Sequence, residues 1–432
     1  MQLIDNSSNK GFFAIIEEVV HPHTWHVNAK VRRGIVLGRY RVYRTLSTET
    51  GDRGVYLAYD ISSKAGCTAP NKVVIKAWMD PTDKECVAES SAYRELSKAV
   101  GHVPAALSNS HDNELGVHAI ALEKLGPSLE DLQGLLPEER FDERMVMAVA
   151  IQMIDRYREV HARGITHSGT KPANICLSAR SKPSTLGDKT LHIIDFGLSS
   201  QTDIAKEPLP SQHIIEVIGN RRLMSINAHH GFSQSQRDDL ESLGYLFSLL
   251  FHGFLPWDVA LEARAQRERK PNSDRTPVDP LPKIWRFKSS TPASMLFKDM
   301  HPVFVEFWKE VKSFAHGEVP PYDHLKERFV DAWKERNFGG VPGELDWWDL
   351  CTKLRKGNFE WGAGSDAKLK YTYGRKSTLM HVNAIDSDGE VEEEQCRLKS
   401  QEHDWGAGRD ENLRDAYARR KGLMQRGAGG WS

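Results

Sequence analysis

Two short segments carry side chains suited to phosphate and metal chemistry. Residues 166–174 are T-H-S-G-T-K-P-A-N, and residues 193–197 are I-I-D-F-G. Asn174 and Asp195 offer oxygen donors of the kind that a hard cation such as Mg²⁺ prefers. Lys171 offers a positive charge that could neutralise a transferring phosphate. Phosphoryl transfer needs such groups, and it also needs a phosphate cradle and a group that steers the attacking hydroxyl.

The layout of these segments resembles the catalytic and metal-binding loops of protein kinases, H-R-D-x-x-x-x-N followed by D-F-G. In that layout the Asp accepts the proton of the substrate hydroxyl, but this chain has Gly169 there. The flanking Ser168 and Thr170 carry neutral hydroxyls, which are poor bases near pH 7. Ser168 also replaces the Arg that receives an activation-loop phosphate in many kinases. Losing a general base costs roughly 10²–10⁴-fold in rate.

The strand-like run 72–76 ends in Lys76, where kinases have V-A-I-K, and Glu89 in the following helix is its expected carboxylate partner. A kinase cradles the phosphates with G-x-G-x-x-G-x-V, because only glycine lets backbone N–H groups approach so closely. Counting back from Val55, none of the three glycine positions holds glycine. The cation and metal positions are therefore present, whereas the cradle is poor.

Several longer strings resemble the casein kinase 1 family. They are L-G-P-S-L-E-D-L at 125–132, E-S-S-A-Y-R at 89–94, S-I-N at 225–227, Q-R-D-D-L-E-S-L-G-Y at 236–245 and L-P-W at 255–257. The resemblance covers roughly residues 37–336. It implies an α+β, bilobal kinase fold with a β-rich N-lobe and a larger helical C-lobe. It also implies ATP and Mg²⁺ as cofactors, held by Lys76, Glu89, Asn174 and Asp195, and a serine or threonine hydroxyl as substrate. Arg222, with Arg221 beside it, matches a residue that binds acidic or phosphorylated substrates.

The chain divides into three parts by composition. Residues 1–36 form a leader of mixed character, residues 37–336 the kinase-like domain and residues 337–432 a polar tail. We expect the small lobe to end near residue 126. The tail contains clustered glycines, an acidic run at 386–394 and the string W-G-A-G at 361–364 and 405–408. Such composition predicts a mostly flexible segment, in which the Trp347-Trp348 pair is the part best suited to anchor on the helical lobe.

Composition limits the function classes. The 58 basic and 59 acidic residues nearly cancel, so no overall field favours nucleic acid or an acidic membrane. The five cysteines are isolated, which favours a reducing, intracellular compartment, cytoplasmic or nuclear. No run approaches the roughly 18 apolar residues needed to span a bilayer. The expected partner is a protein, as substrate or as binding partner.

The residues leave three hypotheses for function. The first, which the missing base and poor cradle favour, is a pseudokinase that acts as a scaffold and binds ATP without transferring phosphate. The second is a slow serine/threonine kinase, since positioning and electrostatics dominate phosphoryl transfer. The third and weakest is another nucleotidyl or phosphoryl reaction on the same fold.

Overall fold

The fold is described from a computed structural model of the 432-residue chain. The structure describes these residues: 27–32, 34–49, 52–62, 71–96, 101–178, 189–201, 219–258 and 284–347. No helix in these ranges is both long enough and apolar enough to cross a membrane.

The small lobe is built on an antiparallel sheet. Its strands are β1 (Ile35–Val36), β2 (Tyr40–Glu49), β3 (Arg53–Asp60), β4 (Lys72–Trp78), β5 (Ala106–Asp112) and β6 (Val117–Glu123), in the order β1-β2-β3-β4-β6-β5. Successive side chains of a strand point to opposite faces. In β4 the residues Val73, Ile75 and Ala77 therefore face outward into one apolar cluster. Lys76 faces the other way, toward the cleft.

Helix α1 (Val27–Val31) covers the outer face of this sheet. Both Val27 and Val31 are fully buried there against strand residues such as Ile75. Part of the segment that the sequence assigned to a leader, residues 1–36, thus packs as a layer of the small lobe. Residues 1–26 lie outside the described residues.

Helix α2 (Lys84–Leu96) packs on the inner face of the sheet. It presents Glu89, Tyr93 and Leu96 to the interior, all of them buried. The spacing of four residues between Glu89 and Tyr93 places both on one face of the helix. This face borders the cleft between the lobes.

The large lobe is helical. Its helices are α3 (Leu129–Gln133), α4 (Glu143–His161), α5 (Ile226–His229), α6 (Gln236–His252), α7 (Ile284–Ser290), α8 (Ala293–Leu296), α9 (Pro302–Val311) and α10 (Tyr322–Glu335). Helices α4 and α6 are largely buried and form the centre of the lobe's core. The lobe also contains short strands β7 (Ile165–Thr166), β8 (Ile175–Leu177), β9 (Leu191–Ile193) and β10 (Ser200–Gln201). Strand β7 pairs with β10 and β8 with β9, both antiparallel. The expected bilobal kinase fold is confirmed.

The chain continues to pack on the large lobe after α10. Trp347 is fully buried, with its ring 6.3 Å from that of Phe141. The Gln152 side chain donates a hydrogen bond to the Gly343 carbonyl at 2.8 Å, and Lys189 forms an ion pair with Glu344 at 3.0 Å. The predicted aromatic anchor is therefore present at Trp347. Residues 348–432, with Trp348, the acidic run and both W-G-A-G strings, lie outside the described residues.

Candidate functional site

Lys76 lies at the centre of an ion-pair network in the cleft. Its Nζ is 2.5 Å from Glu89 Oε1 and 2.8 Å from Asp195 Oδ1. Strand β4, helix α2 and the D-F-G turn each contribute one of these groups. The structure therefore brings together three residues that are separated by 13 and 119 positions in sequence.

Burial and charge act in opposite directions on these groups. Burial opposes the charge on Lys76, but the carboxylates of Asp195 and Glu89 outweigh it and raise the pKa of Lys76. Burial likewise opposes ionisation of Asp195, yet Lys76 and Lys171 hold the pKa of Asp195 below its ordinary value. Asp195 is therefore an ionised carboxylate at neutral pH, and it is a poor proton acceptor for a substrate hydroxyl.

Asn174 and Lys171 complete the polar side of the cleft. Lys171 Nζ lies 3.6 Å from Asp195 Oδ2. The Ile194 N–H donates to the Asn174 carbonyl at 3.0 Å, which ties the segment before Asp195 to Asn174. The Asn174 side chain donates through Nδ2 to the Gly169 carbonyl at 2.9 Å, so its Oδ1 remains an acceptor.

This donor set fits Mg²⁺ bound together with a nucleotide. Mg²⁺ takes one or two protein carboxylates or amides, with the remaining ligands supplied by phosphates and water. Asp195 and Asn174 provide such oxygens. Within the described ranges no group of three or more His, Cys, Asp or Glu side chains could hold a metal alone.

Gly169 leaves a narrow space at the place where the general base is expected. A Cβ on Gly169 would lie 3.2 Å from His167 Cε1 and 3.6 Å from Asn174 Nδ2. The Gly169 N–H donates to His167 Nδ1 at 3.2 Å, and His167 Nε2 donates to the Ile194 carbonyl at 3.1 Å. Both ring nitrogens are therefore used within the protein, and burial lowers the pKa of His167. His167 is neutral and does not replace the missing base.

The hydroxyls that flank Gly169 do not replace it either. Thr170 Oγ1 lies 2.5 Å from the Tyr157 hydroxyl, inside the large lobe, where Thr170 is buried. Ser168 is also buried, and its backbone adopts a left-handed conformation with φ of 58°. The loop presents backbone, rather than a proton acceptor, at this position.

The backbone of the loop is nevertheless held firmly. The carboxylate of Asp239, on α6, accepts from the His167 N–H at 2.7 Å and from the Ser168 N–H at 2.8 Å. His161 Nε2 lies 2.9 Å from the same carboxylate. Asp239 is buried, so these bonds form in a low-dielectric interior where they are strong.

Edge-to-face aromatic contacts join the two lobes next to the ion pairs. The Phe196 ring of the D-F-G turn packs edge-to-face against Tyr93 of α2, at 5.4 Å between centroids, and against His167 at 5.0 Å. Phe196 is fully buried. The Phe196 side chain therefore points into the core, and it holds α2 close to the cleft.

Arg221 and Arg222 lie at the entrance to the S-I-N segment. The Arg222 guanidinium binds the buried Asp258 carboxylate, with Nε 2.7 Å from Oδ1 and a second nitrogen 2.5 Å from Oδ2. The Arg221 carbonyl accepts a hydrogen bond from His229 Nε2 at 3.1 Å. A substrate anion at Arg222 would have to share the guanidinium with Asp258. Binding of acidic substrates here stays a prediction.

One of the comparisons with known proteins agrees with this fold. No protein-family profile matches the chain. It is 28% identical over 330 residues to casein kinase I homolog 2 of Schizosaccharomyces pombe, and the match covers 75% of this chain and 70% of that protein. This similarity supports the resemblance to the casein kinase 1 family that the sequence motifs indicate.

The sequence predicted the main polar groups of this cleft but not several residues that support them. The structure brings Lys76, Glu89, Asp195, Lys171 and Asn174 together, with Gly169 beside Asn174. Their roles toward nucleotide and metal stay predictions. The supporting role of Asp239 was missed, although it lies within the string Q-R-D-D-L-E-S-L-G-Y that marked the resemblance. The Tyr157–Thr170 bond carried no sequence signal, because nothing local links two hydroxyls on different elements.

Proposed function

We propose that this protein is a casein kinase 1-like pseudokinase that binds ATP with Mg²⁺ and acts as a protein-binding scaffold. The observation that carries the proposal is the surroundings of Gly169. His167 uses both ring nitrogens internally, Thr170 is bound to Tyr157, and Asp195 is shared between two lysines. None of these groups is placed to accept the proton of a substrate hydroxyl.

Nucleotide binding is supported by the part of the site that is retained. Lys76 is held by Glu89 in the geometry that would present its charge to phosphates, and Lys171 adds a second cation. A bound Mg²⁺ would neutralise phosphate charge, and Asp195 and Asn174 are the residues that would hold it. The chain's own contribution is then to bind and orient the nucleotide.

The alternative is a slow serine/threonine kinase, and the same retained network favours it. Phosphoryl transfer depends mainly on positioning and electrostatic stabilisation, so loss of the base lowers the rate without removing every contribution. The protein substrate would be an acidic or primed one that binds near Arg222. The intracellular location inferred from the cysteines also stays a prediction.

Thermal unfolding of the purified full-length chain with ATP, with and without Mg²⁺, tests the proposal. A ligand stabilises only the state that it binds, so we expect the unfolding midpoint to rise with ATP concentration. The control is Lys76→Met, which removes the cation and should lose most of the response. Phosphate transfer to an acidic protein should stay at background. A response to ATP with clear transfer would establish the slow kinase, and no response to ATP in any buffer would refute nucleotide binding.

A further inference from the structure

Arg53 is a charged residue of the cleft that the sequence comparison leaves without a role. It stands at the third glycine position, two residues before Val55, in the segment where a kinase places its phosphate cradle. In the sheet, Val55 pairs directly with Lys76, and Arg53 pairs with Trp78. Because alternate residues of a strand share a face, Arg53, Val55 and Lys76 all lie on the cleft side.

The Arg53 guanidinium reaches the D-F-G end of the cleft. It forms an ion pair with Glu85, in the first turn of helix α2. A Cβ on Gly197 would lie 3.3 Å from Glu85 Cβ and 3.5 Å from Glu85 Oε2, so Glu85 rests against the D-F-G turn. Arg53 is therefore placed beside the turn whose Asp195 is proposed to hold the metal ion.

The Arg53–Glu85 pair resembles the Lys76–Glu89 pair, because each joins a basic residue of the sheet to a carboxylate of helix α2. Glu85 and Glu89 are four residues apart and so share one face of α2. The two pairs differ in exposure. The side chains of Lys76 and Glu89 are 14% and 2% exposed, whereas those of Arg53 and Glu85 are 23% and 37% exposed. Partly exposed ion pairs are weak and are readily exchanged.

A phosphate is a stronger partner for this guanidinium than Glu85. Arg binds phosphate through two parallel, charge-assisted hydrogen bonds, and a phosphate chain carries more negative charge than one carboxylate. We propose that Arg53 is a phosphate-binding residue of this site, which Glu85 holds near the D-F-G turn until a nucleotide arrives. Its side chain then supplies the contact that backbone N–H groups supply in a glycine-rich loop. This inference rests on the proposed nucleotide binding.

Affinity measurements by titration calorimetry on the full-length chain test the inference, with ATP and adenosine as probes. Arg53→Ala should weaken ATP binding about tenfold and leave adenosine binding unchanged, because adenosine has no phosphate. The ATP affinity of Arg53→Lys should lie between those of the unmodified chain and Arg53→Ala, because lysine keeps the positive charge but lacks the paired donors of the guanidinium. Glu85→Gln should strengthen ATP binding about threefold, because the competing carboxylate is gone.

The opposite signs of these two variants separate the inference from a structural role. If Arg53 only braces helix α2 through Glu85, then Arg53→Ala and Glu85→Gln break the same bond and shift ATP affinity in the same direction. That outcome, or unchanged ATP affinity in Arg53→Ala, overturns the inference while leaving the proposed function intact. Absence of ATP binding to the unmodified chain overturns the proposed function and the inference with it. Unfolding midpoints without nucleotide verify that each variant is folded.

Discussion

Restoring an acidic side chain at position 169 is the most direct perturbation of this site. The φ angle of Gly169 lies outside the left-handed region, so an L-residue fits its backbone. The new Cβ would lie 3.2 Å from His167 Cε1, which requires that ring to move by a few tenths of an ångström. Because His167 is fixed by Ile194 and packed on Phe196, we expect Gly169→Asp to cost about 1 kcal/mol of stability.

The rate of phosphate transfer should rise although stability falls. A positioned general base contributes about 10²-fold or more, equivalent to about 3 kcal/mol of barrier. We expect Gly169→Asp to raise transfer of labelled phosphate from ATP to an acidic protein by that factor. Gly169→Asn is the matched control, since it has nearly the same volume and causes the same displacement of His167 without supplying a base.

Equal rates in the Asp and Asn variants, with ATP binding intact in both, would refute the reasoning from the missing base. The block would then lie in the placement of the nucleotide by the hairpin between β2 and β3, where the glycine positions are not glycine. The scaffold function would be favoured outright.

Three further predictions follow from the described contacts. Burial lowers the pKa of His192 to about 4 and that of His229 to about 2. Both side chains therefore stay neutral in the folded chain between pH 7 and 5, whereas in the unfolded chain they bind protons below about pH 6.5. Stability should therefore fall as pH drops from 7 to 5, by up to about 2 kcal/mol for each histidine, and His192→Gln should flatten part of a plot of unfolding midpoint against pH. Trp347→Ala should lower the free energy of unfolding by about 3 kcal/mol, measured by denaturant titration, whereas Val341→Ala, at a side chain that is 57% exposed, should change it by less than about 0.5 kcal/mol. Chelating Mg²⁺ should weaken ATP binding less in the unmodified chain than in Gly169→Asp, because the glycine places no negative charge near the phosphates; equal losses in calorimetry would contradict this.

The fold could be predicted because its signals are local and ordered. The strand run ending at Lys76, the helix with Glu89 and the D-F-G turn each occur at the expected spacing, and the two lobes follow from them. Helix α1 was not predicted, because its apolar contribution to the sheet is limited to Val27 and Val31. These two residues make too short a pattern for periodicity to detect.

The supporting contacts of the site could not be predicted, for a different reason. Arg53 and Glu85 are 32 positions apart, and Arg222 and Asp258 are 36 apart. Each pair joins residues from different elements, so its existence depends on how strands, helices and loops are placed in three dimensions. Arg222 is an example. Its residue type and position indicated a site for a substrate anion, whereas in the structure its guanidinium binds the buried carboxylate of Asp258.

The hydrogen bonds from the loop backbone to Asp239 have an evolutionary consequence. The His167 and Ser168 amides are held by the Asp239 carboxylate, through hydrogen bonds that do not involve the side chain at position 169. Loss of a side chain there leaves the loop in place, and its return needs no rebuilding of the backbone. Glycine and aspartate codons can differ by a single base. A lineage with this architecture is therefore one point mutation away from regaining an acidic group at this position, on a loop backbone that is already in place.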